Sequence, residues 1–254
     1  MILKEISKER IASELLKLLT GKYAAKVVRE YLDVLGIFIP ELIVMRGFDQ
    51  KSRYHDRDLL EHTLGVLDGI SSKTEELCVA ALLHDVGKPV VFKVDEDGFG
   101  HMKQHNIESV RIASKFLDEY KFSNNFKKKV LDLIYMHDIF PTTRGSIRKY
   151  LAEYSLEFFD ELRVLQKADI CAHSEYGRMR LVILEERDRI IEELIESNDC
   201  FSMKDLAIGG NDLIALGIPK GPEVGRVLKE VFDKVLEGEL PNSREELIKF
   251  VENM

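Results

Sequence analysis

The stretch Leu77–Pro89, LCVAALLHDVGKP, constrains the fold more than any other, because an apolar helix pattern there runs straight into a histidine, an aspartate and a lysine. Leu77, Ala80, Ala81 and His84 keep the i, i+3, i+4, i+7 spacing of one helix face, and Leu82 and Leu83 widen the apolar surface. Gly87 and Pro89 supply a stop: glycine suits a left-handed residue after a helix, and proline cannot continue the hydrogen-bond ladder. His84 and Asp85 are therefore expected on the last turn of a core helix, about 100° apart around its axis. A carboxylate buried there without a partner would cost several kcal/mol or stay protonated, so a positive group or a metal is expected beside it.

Other helix stripes end in the same kinds of residue. His62 lies at the edge of the stripe Leu60, Val66, Leu67 and Ile70; Phe126, Val130, Leu133 and Ile134 form a face that ends in His137; Phe158, Leu162 and Leu165 lead to Asp169. His105 opens a helix that reaches Tyr120. Two short helical patterns between Ile6 and Leu35 are broken at Gly21 and ended by Gly36. A charged, exposed-looking helix runs from Leu181 to Ile195. The last amphipathic helix, Val224 to Leu236, follows Gly221 and Pro222, which with Glu223 read as a helix start. Val90 to Met102 is the one extended stretch, VVFKV and FGHM around the turn DEDG, and reads as a small β-hairpin. The expected fold is all-α, a helical bundle with one small β-hairpin. Its expected parts are an N-terminal helical segment over 1–50, a core domain over 51–200 and a C-terminal helical tail over 201–254.

With 254 residues, 45% of them hydrophobic and 32% charged, the chain is long enough for a full core. No apolar run approaches the roughly 18–20 residues that cross a bilayer, and charges interrupt Met1 to Thr20, so no signal peptide is read there. A cytoplasmic protein with no membrane partner is expected. Cys78, Cys171 and Cys200 show no CxxC spacing, which disfavours disulfides and a thiolate zinc site and predicts reduced, buried thiols. The net charge of −8 argues against a broad nucleic-acid surface. A local basic patch of Lys121, Lys127, Lys128, Lys129, Arg144, Arg148 and Lys149 stays open, as does the plainer reading of solvated helix faces. The oligomeric state is left open.

His62, His84, Asp85, His105, His137 and Asp169 are four imidazoles and two carboxylates at or near the ends of core-facing stripes. Singly, each is explained as a hydrogen-bonded core residue or a helix cap. Together, several buried ionisable groups in one domain need mutual compensation. Imidazole and carboxylate suit Mn, Fe, Co, Ni or Zn better than Ca, and six ligands suffice for two ions bridged by one carboxylate. Such a pair lowers the pKa of a shared water and clamps phosphoryl oxygens, which is hydrolytic chemistry.

The order H…HD…H…H…D, carried by EHT at 61–63, HDVGK at 84–88, HNIES at 105–109, MHD at 136–138 and KADI at 167–170, resembles the HD-domain metal-dependent phosphohydrolases. ERIASELLKLL near the start, YHDRDLLEHTLGVLD at 54–68 and the long segment 209–247 resemble the C-terminal part of bacterial CCA-adding tRNA nucleotidyltransferases that carry an HD domain. The resemblance implies that His62, His84, Asp85 and Asp169 hold one metal and that Asp85 bridges to a second held by His105 and His137. One or two divalent ions are implied, Mn, Fe, Ni or Co, with Mg or Zn as further candidates. Catalytic roles are implied for Asp85, for Lys88 as a phosphate contact, with a dipole-favoured helix-end lysine as the equal alternative, and for His55 as a donor to the leaving oxygen, with a place on the surface or behind the ligands as its alternative. His101 competes with His105, which is preferred because HNIES resembles the family pattern. His173 is read as a partner of the ligands or a substrate contact, and Asp138 as orienting His137.

The implied function is a phosphatase or phosphodiesterase acting on a nucleotide or RNA-end phosphate, with 2′,3′-cyclic phosphate and tRNA among the candidate substrates and partners. Two alternatives are an HD-fold di-iron oxygenase and a tRNA- or RNA-binding module with an inactive metal site. In CCA-adding enzymes nucleotidyl transfer belongs to an N-terminal head with a Gly-Ser turn and paired strand aspartates. Asp95 and Asp97 have the spacing but sit in a turn with no Gly-Ser element upstream, and Gly209-Gly210 comes late, so nucleotidyl transfer by this chain alone is not expected. The N-terminal helices and the tail either cradle tRNA, as in those enzymes, or simply cap the bundle.

Overall fold

Thr74 starts the central helix: its side chain accepts a hydrogen bond from the Leu77 amide, and in Glu75–Leu83 every side chain from Leu77 to Leu83 is buried. A helix apolar all round must be enclosed by others. Helices Lys8–Thr20, Leu59–Gly69 and Asn124–Met136 pack against it. Each fully buried leucine in it contributes roughly 1.5–3 kcal/mol. The computed structural model describes residues 6–197 and 199–254; residues 1–5, the start of the expected N-terminal segment and of the stretch tested for a signal peptide, lie outside them.

Contacts divide the chain into two units, one running to Ile139 and resuming over Asp160–Leu184, the other made of Phe140–Phe159 and Glu185–Met254. The first unit contains the helices that pack on Glu75–Leu83, together with Ala24–Glu30, Leu32–Leu35, Glu41–Met45 and His105–Glu119. The second has its own core of Cys200, Leu213, Val227, Val231, Val235, Leu247 and Val251. Its helix Pro222–Glu237 starts with Gly221 at φ 123°, a conformation open to glycine, then proline in the first turn and Glu223 beside it. It is not the last helix: Ser243 caps a further one, Arg244–Glu252. The fold is all-α with one two-stranded antiparallel hairpin, Lys93–Val94 paired with Gly100–His101. No helix among the described residues is long and apolar enough to cross a membrane.

Three local expectations are corrected. Val90 and Val91 are helical, because Pro89 opens the short helix Lys88–Val91 instead of ending structure; only the DEDG turn and its flanks form the hairpin. Gly87 is right-handed, at φ −80°. Its lack of a side chain serves close approach: a Cβ there would lie 2.5 Å from the Ser109 amide nitrogen and 2.6 Å from the His105 carbonyl oxygen. Cys171 is exposed, whereas Cys78 and Cys200 are buried.

The basic stretch is neutralised residue by residue. Lys121 pairs with Glu9, Lys127 with Asp118, Lys128 with Asp132 and Lys129 with Glu161; Arg144 pairs with Glu193, Arg148 with Asp199 and Lys149 with Glu237. It presents no surplus of positive charge for a polyanion.

Candidate functional site

His84 caps the C-terminus of the central helix, and the chain stays helical in sense through the turn, so Asp85 follows it into the same interior. His62 faces inward from the first turns of Leu59–Gly69. His105 begins its helix, His137 caps the end of Asn124–Met136, and Asp169 lies in the last turn of Leu156–Ala172. All six are buried. Helix ends deliver them because terminal backbone groups are free to bond the side chains that project beyond the ladder.

The two oxygens of Asp85 face different histidines. Oδ2 is 3.2 Å from His84 Nε2 and 3.6 Å from His62 Nε2. Oδ1 is 3.3 Å from His105 Nε2 and 3.6 Å from His137 Nε2. Asp169 Oδ1 closes the first group at 2.9 Å from His62 Nε2 and 3.7 Å from His84 Nε2. The Nδ1 atoms of His84, His105 and His137 each face a main-chain carbonyl, Ala81 at 2.8 Å, Met102 at 3.0 Å and Ile134 at 2.6 Å. For His105 and His137 a proton on Nδ1 donated to the carbonyl leaves Nε2 as a lone pair aimed inward, the tautomer that metal-binding histidines adopt, and His84 gains the same free Nε2 when a cation displaces the proton held there.

That arrangement leaves buried acceptors facing one another. His105 Nε2 and His137 Nε2 are 3.1 Å apart, and both Asp85 oxygens and His84 Nε2 lack a well-formed hydrogen bond. The Lys88 ammonium is 2.7 Å from Asp85 Oδ2, which leaves Oδ1 and the imidazole nitrogens facing one another as buried groups that are costly without a further cation. His62 with His84 and Asp169, and His84 with Asp85 and His137, are close enough for their donor atoms to share an ion, so the residues fit divalent metals of the kind that nitrogen and oxygen ligands take. Burial alone would push His84 down, but the Asp85 charge and the contacts with Asp169 raise it to about 10. Asp85 and Asp169 resist the upward push of burial and lie well below the usual carboxylate range, Asp85 through His84 and Lys88, Asp169 through its contacts with His62 and His84.

The remaining expected residues divide. Lys88 is buried, 2.7 Å from Asp85 Oδ2 and 3.0 Å from Gln50 Oε1, so its ammonium neutralises the central carboxylate. His55 packs edge-on against His62 and His173, with ring centroids 4.9 and 4.5 Å away; burial, with Lys88 next in effect, pushes it down to about 2. His173 stacks on His62 and stands 3.6 Å from Asp169, and burial lowers it to about 4. His101 is outside the cluster, half exposed and 2.6 Å from Asp95 on the hairpin. Asp138 accepts from Arg180 at 3.0 Å and makes no hydrogen bond to His137, whose Nδ1 is taken by Ile134.

Two residues had no sequence signal. Gln50, in a loop, is buried and holds Lys88. Gln166, also buried, donates from Nε2 to the carbonyls of Met136, His137 and Ile139 and so ties the end of one helix to the helix that carries Asp169. A cleft of about 690 Å³ opens onto the cluster, lined by Asp85, Lys88, His105, His137, Asp169 and His173 inside and by Arg53, Tyr54, Lys103 and Arg180 among others.

The family described as "tRNA nucleotidyltransferase domain 2 putative" matches residues 105–251, more than half of the chain, and "Probable RNA and SrmB- binding site of polymerase A" matches residues 2–43. A CC-adding tRNA nucleotidyltransferase of Thermus thermophilus is 28% identical over 94% of this chain and 55% of its own length. An A-adding tRNA nucleotidyltransferase of Deinococcus radiodurans is 28% identical over 93% of this chain and 56% of its own. A CCA-adding enzyme of Streptococcus mutans is 25% identical over 67% of this chain and 39% of its own. The chain spans about half the length of the first two relatives.

Proposed function

The chain belongs to the tRNA nucleotidyltransferase domain 2 family, and on that premise we propose that its buried cluster is a divalent-metal site that hydrolyses a phosphate ester on a nucleotide or RNA end. The observation that carries this reading is the division of Asp85: one oxygen toward His62 and His84, the other toward His105 and His137, with both lacking a well-formed hydrogen bond. In this reading His62, His84, Asp85 and Asp169 hold one ion, and Asp85, His105 and His137 a second. Bound there, divalent ions supply Lewis acidity for phosphoryl oxygens and lower the pKa of a water.

The chain's own residues do the rest. The three carbonyl-anchored imidazoles fix the inward lone pairs, and Lys88 balances the charge of Asp85. His55, held neutral near pH 7 by burial, acts in this reading as a hydrogen-bond partner at the cleft wall; the leaving oxygen takes its proton from water. The ester enters through the cleft, with tRNA and 2′,3′-cyclic ends among its candidate sources. No nucleotidyl transfer is assigned to this region, where Asp95 is spent on its own turn amides and on His101.

Metal analysis of the purified protein, followed by a phosphatase and phosphodiesterase screen over nucleotides, 2′,3′-cyclic nucleotides and RNA ends, tests the proposal. Bound transition metal with metal-dependent phosphate release is expected; metal-free protein that stays inactive after Mn, Ni or Co is added would overturn it. A second reading, an RNA-binding segment, is favoured by the match over residues 2–43; RNA binding that survives without hydrolysis would select it.

A further inference from the structure

The wall of the cleft carries a second device besides the ligand cluster. At its outer lip the loop Ser52–His55 is locked to the helical turn Glu175–Arg178: Ser174 Oγ donates to the Arg53 carbonyl at 2.7 Å, and the Ser174 amide donates to the Tyr54 carbonyl at 2.9 Å. Gly177 permits the approach, since a Cβ there would lie 2.8 Å from the Tyr54 carbonyl oxygen. The side chains on this corner form a stack. The Arg53 guanidinium lies over the Tyr176 ring, 4.2 Å from its centroid, and Tyr54 meets Tyr176 edge-on at 5.1 Å. Hydrogen bonds with Arg53 and Tyr176 lower the Tyr54 phenol.

Charge singles out the same place. Every cation of the 121–149 stretch is paired with a carboxylate, and so are Lys88 and Arg180 within the cleft. Asp95 and Asp138 also line it; Asp138 is paired with Arg180, and Asp95 contacts the His101 imidazole at 2.6 Å. Arg53 and Lys103 are exposed, line the cleft and have no carboxylate partner among the described residues. A guanidinium without a carboxylate partner, placed over an aromatic ring, can offer a face to a nucleobase and an edge to a phosphate. The Lys103 ammonium, which also lines the cleft, offers a second phosphate contact.

We propose that Arg53, with Tyr54 and Tyr176 behind it, and Lys103 bind the last nucleotides of a single-stranded RNA, so that the cleft takes the end of an oligonucleotide in preference to a mononucleotide. The inference rests on the reading of the cleft as a phosphate-ester site, while its test reads binding alone. Fluorescence anisotropy of a 5′-fluorescein trinucleotide ending in a 3′-phosphate, with and without Mn²⁺, is compared with competition by the corresponding nucleoside 3′-monophosphate. The trinucleotide is expected to bind about tenfold more tightly, as one added stacked base implies. Lys103→Ala should lower the slope of log affinity against log salt by about 0.7, the loss of one single-strand phosphate contact. Arg53→Lys should keep that slope and weaken binding by about tenfold, because the charge stays and the stack goes. Equal binding of trinucleotide and mononucleotide, or variants that bind as the parent does, overturns the inference whatever the hydrolysis screen gives. Binding that follows these changes in a protein without hydrolysis upholds it and removes the hydrolytic reading instead.

Discussion

Asp85 and Lys88 decide the chemistry at the scale of single residues. Asp85→Asn keeps the shape and removes the charge that both histidine groups face; bound metal should fall by more than about 100-fold in affinity, with hydrolysis lost alongside it, as metal analysis and the phosphoesterase assay would read. Undiminished turnover in that variant would eliminate the mechanism. Lys88 is a buried partner of Asp85 with an 8% exposed side chain. Lys88→Met should therefore destabilise the chelated protein by about 3–5 kcal/mol in denaturant melts, the usual consequence of stripping one member from a buried pair. Added divalent metal should recover much of that loss; a variant as stable as the parent would show that Asp85 does not depend on this ammonium. The sign of the pH dependence follows from His84. Raised to about 10, it is protonated near neutrality, and a cation taking its Nε2 must expel that proton. Apparent metal affinity should rise about tenfold per pH unit above neutrality, until pH reaches the His84 value. Titration calorimetry in buffers of different protonation enthalpy should count about one proton released, and no buffer dependence would argue against His84 as a ligand.

Between elements, the site depends on two close approaches. Gly87 lets the turn after the central helix touch the start of His105–Glu119, and its amide donates to Ser109 Oγ at 2.9 Å, so Asp85 and His105 come within reach. Gly87→Ala sets a Cβ against backbone rather than a flexible side chain, with an expected cost of about 1–3 kcal/mol and metal stoichiometry reduced first in the His105 and His137 half. Thermal melts and metal counting would check both, and a fully loaded Gly87→Ala protein would argue against the close approach. Gln166 plays the matching part on the other side by clasping the end of the helix that His137 caps. Gln166→Leu leaves buried carbonyls short of a donor and should lower stability by about 1–3 kcal/mol in the same melts. An unchanged melting curve would mean that those carbonyls find other donors.

For the whole molecule, metal binding should couple to the folding of the unit that carries the site. At 100 times the dissociation constant a bound ion adds about 2.7 kcal/mol, so chelation should lower the melting temperature of that unit's transition in calorimetry. Much of this was legible in the chain. The stripes ending in His137 and Asp169, the all-apolar helix before His84, and the caps at Gly221 and Pro222 follow from 3.6-residue periodicity and backbone rules acting within a few turns. The order of the six ionisable residues was legible too, because each projects from a helix end that the local pattern defines. The shape of Gly87 was not: its conformation is ordinary, and only the approach of the distant backbone at His105 and Ser109 makes a side chain intolerable there. Neither was the neutralisation of the basic stretch, where Lys121 meets Glu9 and Lys129 meets Glu161. The sequence by itself determined which residues lie on core-facing helix ends, since hydrophobic patterning is local. Only the tertiary structure decided which oxygen of Asp85 faces which histidine and which cations stay unpaired, because those depend on ångström-scale approaches between residues far apart in the chain.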